Sequence, residues 1–157
     1  MMLIRPWGRF LAVSIFIFAF DRLTKLIAFK VLALDRSLPV IPGIFHFTLV
    51  LNTGAAFGML KDRRLFFVAT SIIAVAFMVF YLWRHKTAGS TLLFAFGLIT
   101  GGAVGNLFDR IKYGHVIDFL DFRIWPVFNI ADSAITIGAV LLVWLVLTKN
   151  QQLRANN

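Results

Sequence analysis

The stretch "LFFVATSIIAVAFMVFYLW", Leu65 to Trp83, runs for nineteen residues without a charge. About 20 mostly apolar residues in helical form cross the roughly 30 Å hydrocarbon layer of a bilayer. The rest of the chain agrees that lipid is the main solvent: 60% of the 157 residues are hydrophobic, where a soluble domain averages about 45–50%. At this length one integral membrane domain, residues 1–157, is expected.

Outward from that segment the apolar pattern repeats three times. The chain reads as a mainly α membrane protein with four transmembrane helices, at about 10–29, 65–83, 91–107 and 131–147. The first, from Phe10 to Phe29, is interrupted by "DRLTK" at 21–25. Arg5 and Arg9 ahead of Phe10–Phe20 look like the start of a secretory signal peptide. Asp21, Arg22 and Lys25 stand where small cleavage-site residues belong, so the segment reads as a retained span. The third, "TLLFAFGLITGGAVGNL", holds small residues that let helices pack closely. Two longer connections remain, 30–64 and 109–127; in the first, "IFHFTLVLN" between Pro/Gly signals suggests strand.

The charge is +9, with sixteen Lys and Arg, but these flank apolar runs and form no basic stripe with interleaved aromatics. That pattern argues against a nucleic-acid partner and for membrane lipids. Four spans place both termini and the Arg84–Ser90 link on one side, with six Lys or Arg near span ends and no acid. The longer connections carry eight basic residues, but long translocated loops weigh less in setting orientation. The termini are therefore expected in the cytoplasm, and the seven aspartates fall toward the outer face.

Asp118 and Asp132 are the notable pair. One follows the third span and the other opens the fourth, so both belong near one membrane face, and Trp125-Pro126 permits the turn between them. An ordinary reading exists for each, a loop carboxylate and an N-terminal helix acid. Two carboxylates brought together at a low-dielectric surface share one proton, and such a pair hydrolyses peptide bonds without metal or covalent nucleophile. Asp121, on the other face if 118–122 is a strand, reads as solvated. Asp21 and Lys25 stand four apart as a helical ion pair. Asn106, Asp109 and Arg110 read as a polar cap with a local ion pair. There is no cysteine, no paired histidine motif, and no phosphate-binding or nucleophile-elbow motif, so no metal and no cofactor is expected.

Five ordered stretches, "DRLTK" (21–25), "NTGAAFG" (52–58), "GGAVGNLFDR" (101–110), "VIDF" (116–119) and "FNIADSAI" (128–135), together resemble lipoprotein signal peptidase, the bacterial aspartic membrane protease also called signal peptidase II. The resemblance covers essentially the whole chain. It implies Asp118 and Asp132 as the catalytic pair, with Asp21, Lys25, Asn52, Asn106, Arg110 and Asn129 as polar supports and Gly54 and Ala131 as small positions. It implies cleavage of prolipoproteins just before a diacylglyceryl-modified cysteine, at the outer leaflet of the inner membrane, and inhibition by globomycin-like peptides. The fold it implies is four transmembrane helices with a small extracytoplasmic β-sheet and a short surface helix. Here only thirteen residues separate Asp118 from Asp132, fewer than in the family, and they form the expected lid. A proton-coupled transporter or a non-catalytic assembly subunit are the alternatives. The lack of inverted repeats or a polar mid-span stripe speaks against the first, and only the "GGAVG" packing face supports the second.

Overall fold

The computed structural model describes residues 4–34, 36–54, 60, 62–85 and 87–155, with side chains described within 7–148. Four long helices and three strands follow one another as α1 (Ile4–Val31), β1 (Ser37–Ile41), β2 (Phe45–Asn52), α2 (Arg64–Arg84), α3 (Ser90–Tyr113), β3 (Val116–Asp121) and α4 (Ile130–Ala155). Among the described residues, three helical stretches are long and apolar enough to cross a membrane: Arg64–Arg84, Ser90–Tyr113 and Ile130–Thr148. Helix α1, at 28 residues, has the length. It is not interrupted at "DRLTK". The helix passes straight through, because Asp21 and Lys25 turn inward and are fully buried.

Helix α3 is the axis of the bundle, packed on α1, α2 and α4. Its glycines make this possible. A Cβ on Gly102 would collide with the Ala131 carbonyl oxygen, and one on Gly105 would lie 2.6 Å from an Asp21 carboxylate oxygen. Only at glycine can α1 and α4 approach α3 so closely. Helix α2 is held less tightly. Only Met78 and Leu82 are buried along it, and they join Phe10, Leu93 and Phe96 in an apolar cluster at the end of the bundle away from the sheet.

The sheet is antiparallel in the order β1-β2-β3. Pro42-Gly43 closes the β1–β2 hairpin with Gly43 at φ 75° and Ile44 N–H donating to the Ile41 carbonyl, a turn that favours proline followed by glycine. Helix α3 outruns the apolar segment by two turns and stops at Gly114, left-handed at φ 83°. The chain then enters β3 at once, so the second connection begins as the last turns of α3 and continues as strand only over Val116–Asp121. Between α1 and α2 no helix occurs among the described residues; 55–59 and 61, including most of "NTGAAFG", lie outside them.

A bulge in β2 between Phe47 and Val50 shifts its register against β3. Residues 48 and 52, which a regular strand would present to one face, consequently serve opposite faces of β3. Thr48 meets Asp121 and Asn52 meets Asp118.

Candidate active site

Asn129 is the residue on which the site is assembled. It precedes α4, and its side-chain oxygen accepts the Asp132 N–H at 2.9 Å, while its own N–H donates to the Asp132 carboxylate at 3.3 Å. This is a reciprocal capping box built from asparagine and aspartate, satisfying two orphan donors at the helix start. The same asparagine donates through Nδ2 to Asp118 Oδ1 at 2.6 Å. One residue thus holds both carboxylates.

Each has a second amide. Asn52 Nδ2 donates to Asp118 Oδ2 at 2.9 Å across the β2–β3 ladder, and Asn106 Nδ2 donates to Asp132 Oδ1 at 2.7 Å from α3. Asp118 is 2% exposed. Its burial first, and the negative charge of Asp132 second, raise its pKa to about 7 despite the bonds from Asn52 and Asn129. Both carboxylates face a cavity of about 450 Å³. Arg110, Phe67, Ile99 and Ile135 line it too, and the segment Trp125–Phe128 forms one wall.

The supporting residues fall into two groups. Arg110 donates to the Gly54 carbonyl at 3.2 Å and lies over the Phe67 ring at 4.6 Å. Gly54 N–H donates in turn to Asn52 Oδ1 at 2.9 Å, so Arg110, Gly54 and Asn52 form one wall behind Asp118. Beneath Asp132 lies a buried charge network. Lys25 Nζ contacts Asp21 at 3.0 Å, Asp109 at 2.8 Å and the Asn106 oxygen at 2.8 Å. Arg22 bonds both Asp21 and Asp109. Asp21 Oδ1 also accepts the Ala131 N–H at 3.1 Å, a further orphan donor of α4. Lys25 fixes which way the Asn106 amide points: its oxygen faces the ammonium, so its nitrogen must face Asp132.

The structure brings all ten expected residues into one continuous assembly. Three readings change. Asp109 is no local partner of Arg110; its partners are Arg22 and Lys25 of α1. Asp21 and Lys25 are not an isolated pair but half of a four-charge cluster. Asp121 is on the opposite face from Asp118 as expected, yet it is not solvated: its side chain is 5% exposed beneath Arg123 and Thr48. Arg22 and Asp109 are the members that sequence reasoning missed. The available signal was Asp109 itself, a carboxylate at the end of an apolar helix, which demands a buried partner. Among the described residues, no group of three or more His, Asp or Glu is placed to hold a metal.

The comparisons with known proteins settle the class. Residues 13–148 match the family model described as signal peptidase (SPase) II. The chain belongs to the signal peptidase II family. It is 44% identical over 131 residues to the lipoprotein signal peptidase of Halothermothrix orenii, covering 83% of this chain and 90% of that one. It is 42% identical over 132 residues to that of Pelotomaculum thermopropionicum, covering 84% and 87%. A solved bacterial membrane enzyme superposes with a TM-score of 0.85 at 34% identity, over 92% of this chain and 91% of the other. A second does so with a TM-score of 0.81, also at 34% identity, over 89% and 93%. This signal peptidase II is therefore a protease, and the transporter and assembly-subunit readings fall away.

Proposed function

We propose that this peptidase removes the signal peptide of prolipoproteins by cleaving before the diacylglyceryl-modified cysteine, with Asp118 and Asp132 as its catalytic dyad. The observation that carries this is the shared anchorage on Asn129: two carboxylates with a common amide, one of them with its pKa at about 7, facing one cavity. Asp118, its pKa raised to about 7, carries the shared proton below that pH, and Asp132 is the base. A water loses its proton to Asp132 as its oxygen attacks the carbonyl carbon preceding the cysteine. The tetrahedral intermediate collapses, the C–N bond breaks, and the Asp118 proton passes to the leaving amine. Asn52 and Asn129 hold the dyad, and Arg110 supplies positive charge at the cavity wall as the oxyanion forms.

Helix α1 is the fourth span. Its inward charges are neutralised within the bundle, while Ile15, Phe16, Leu23, Leu26 and Ile27 point outward at 52–65% exposure. The termini then lie in the cytoplasm and the dyad at the outer leaflet of the inner membrane. There the substrate's lipid anchor holds the scissile bond level with the carboxylates, among membrane lipids. Globomycin-like peptides compete for the same cavity.

The test uses purified protein and a diacylglyceryl peptide. Asp118→Asn and Asp132→Asn should each reduce turnover by on the order of 10³-fold or more, with the double variant hardly worse, because groups acting as a unit are non-additive. Substantial turnover by either single variant would remove the dyad.

A further inference from the structure

The face of β3 turned away from Asp118 carries a second polar cluster that the reaction does not use. The Asp121 carboxylate accepts the Thr48 hydroxyl at 2.7 Å, the Arg123 backbone N–H at 2.8 Å and an Arg123 guanidinium N–H at 2.9 Å. Arg123 sits at φ 64°, a left-handed conformation that is strained for an ordinary side chain and persists only where its surroundings impose it. Asp121 grips the residue by main chain and side chain together, and Ile124 N–H donates to the Phe122 carbonyl across it at 2.7 Å.

That turn begins the segment lining the catalytic cavity. Beyond Arg123 the chain runs out to Ile124, 92% exposed, and returns through Trp125, Pro126 and Val127. It closes where Leu120 and Phe128 exchange backbone hydrogen bonds of 2.8 and 3.0 Å. Phe122 stacks on Phe128 at 5.9 Å across the base. The loop is tied by a ladder step at Leu120–Phe128, by the Ile124–Phe122 backbone bond and by the Asp121 clamp on its first turn. The Asp121 clamp stands at the start of the Trp125–Phe128 wall that faces the dyad.

We propose that Asp121 is a positioning residue for the reaction: by holding Arg123 in the left-handed turn it sets the Trp125–Phe128 wall against the dyad and so governs how tightly the prolipoprotein is held. The inference rests on that cavity being the substrate site. The clamp is not a pH switch. Burial acts to raise the Asp121 pKa, but the bonds from Thr48 and Arg123 outweigh it and hold the carboxyl below the usual range.

The experiment measures initial rates of the full-length enzyme on a diacylglyceryl peptide. Asp121→Ala should raise KM by about fivefold to tenfold with kcat within about twofold, the signature of lost uniform binding. Thr48→Val, which removes the hydroxyl's bonds to Asp121 and Ser37 and keeps the strand, should raise KM in the same direction by less. Glycine takes φ > 0 without a clamp, so Arg123→Gly added to Asp121→Ala should return KM toward the parent value, whereas Arg123→Ala added to Asp121→Ala should not. If the double variant carrying Arg123→Gly binds no better than the one carrying Arg123→Ala, the clamp is overturned. So it is by an Asp121→Ala variant that loses kcat at unchanged KM, or that changes neither. Asp118→Asn run alongside separates the two readings: if it stays active, the cavity's assignment fails and the clamp's role with it; if it is inactive, a failed clamp leaves the dyad standing.

Discussion

Replacing Lys25 with methionine keeps the length of the side chain and removes its charge. The ammonium is 1% exposed and contacts two carboxylates and one amide oxygen at 2.8–3.0 Å. The four charges Asp21, Arg22, Lys25 and Asp109 sum to zero; without Lys25 the buried cluster carries one uncompensated negative charge. Breaking a buried ion pair by removing one partner costs about 3–5 kcal/mol. Arg22 still bonds both carboxylates, which places the loss near the lower end of that range, about 3 kcal/mol. For a chain of 150–250 residues each kcal/mol lowers Tm by about 2–4 °C, so a fall of roughly 6–12 °C is expected. Tryptophan fluorescence during heating in detergent reads it. Asp109→Asn in the Lys25→Met background restores the balance of charge, and the double variant should melt above Lys25→Met, with a coupling on the order of 1–3 kcal/mol. A single-variant loss under about 1 kcal/mol, well short of a broken buried pair, or a double variant less stable than the single, would refute the argument that charge balance, rather than mere packing, fixes this cluster.

With the Asp118 pKa at about 7 against an ordinary 3.8, the proposed dyad should lose its shared proton as pH rises through about 7. Turnover should fall across that range. Over the window from 3.8 to about 7 the folded state binds the extra proton, so stability should decline as pH rises, and Asp118→Asn should reduce that slope in pH-dependent melting. Gly105→Ala would put a methyl 2.6 Å from the Asp21 carboxylate and should cost about 1–3 kcal/mol by overpacking. Gly8→Ala in α1 meets nothing within 4 Å and should be neutral or stabilising by up to about 1 kcal/mol, a contrast that thermal melts would show. A peptide lacking the diacylglyceryl group should be cleaved far more slowly than its lipidated twin, since burial of chain methylenes contributes about 0.8 kcal/mol each; equal rates would remove the lipid from the mechanism. Reporter fusions at residue 87 should report cytoplasm, and fusions at residue 43 the outside.

Why some of this was legible in the sequence and some was not follows from the range of the forces involved. The lipid-facing helices are written locally: Leu65–Trp83 needs nothing beyond its own composition to be recognised. So is the cap of α4, since Asn129 three residues before Asp132, ahead of an apolar run, is a local pattern. The charge cluster is not local. "DRLTK" reads as a break in an apolar helix until Asp109, more than eighty residues later, stands opposite it, and nothing near Asp109 in the sequence names Arg22 or Lys25 as its partners. Asp121 misled for a similar reason. Alternation along β3 assigns its face correctly, but whether that face meets water depends on the β2 bulge that turns Thr48 toward it and on the backbone of Arg123 folding back.

Asn129 spends every polar atom it has. Its N–H and Oδ1 cap Asp132, its carbonyl accepts Ser133, and its Nδ2 reaches Asp118. No other natural side chain offers donor and acceptor in that shape, so a change there uncaps a helix and leaves each carboxylate with a single amide, Asn52 on Asp118 and Asn106 on Asp132. For an inhibitor bound at the proposed dyad, substitutions at Asn129 should cost the enzyme its own helix cap along with the inhibitor's hold. Substitutions at Ile124, 92% exposed in its turn, should cost the fold little. Compounds that draw their affinity from the asparagine-held carboxylates, and avoid that turn, should meet resistance most slowly.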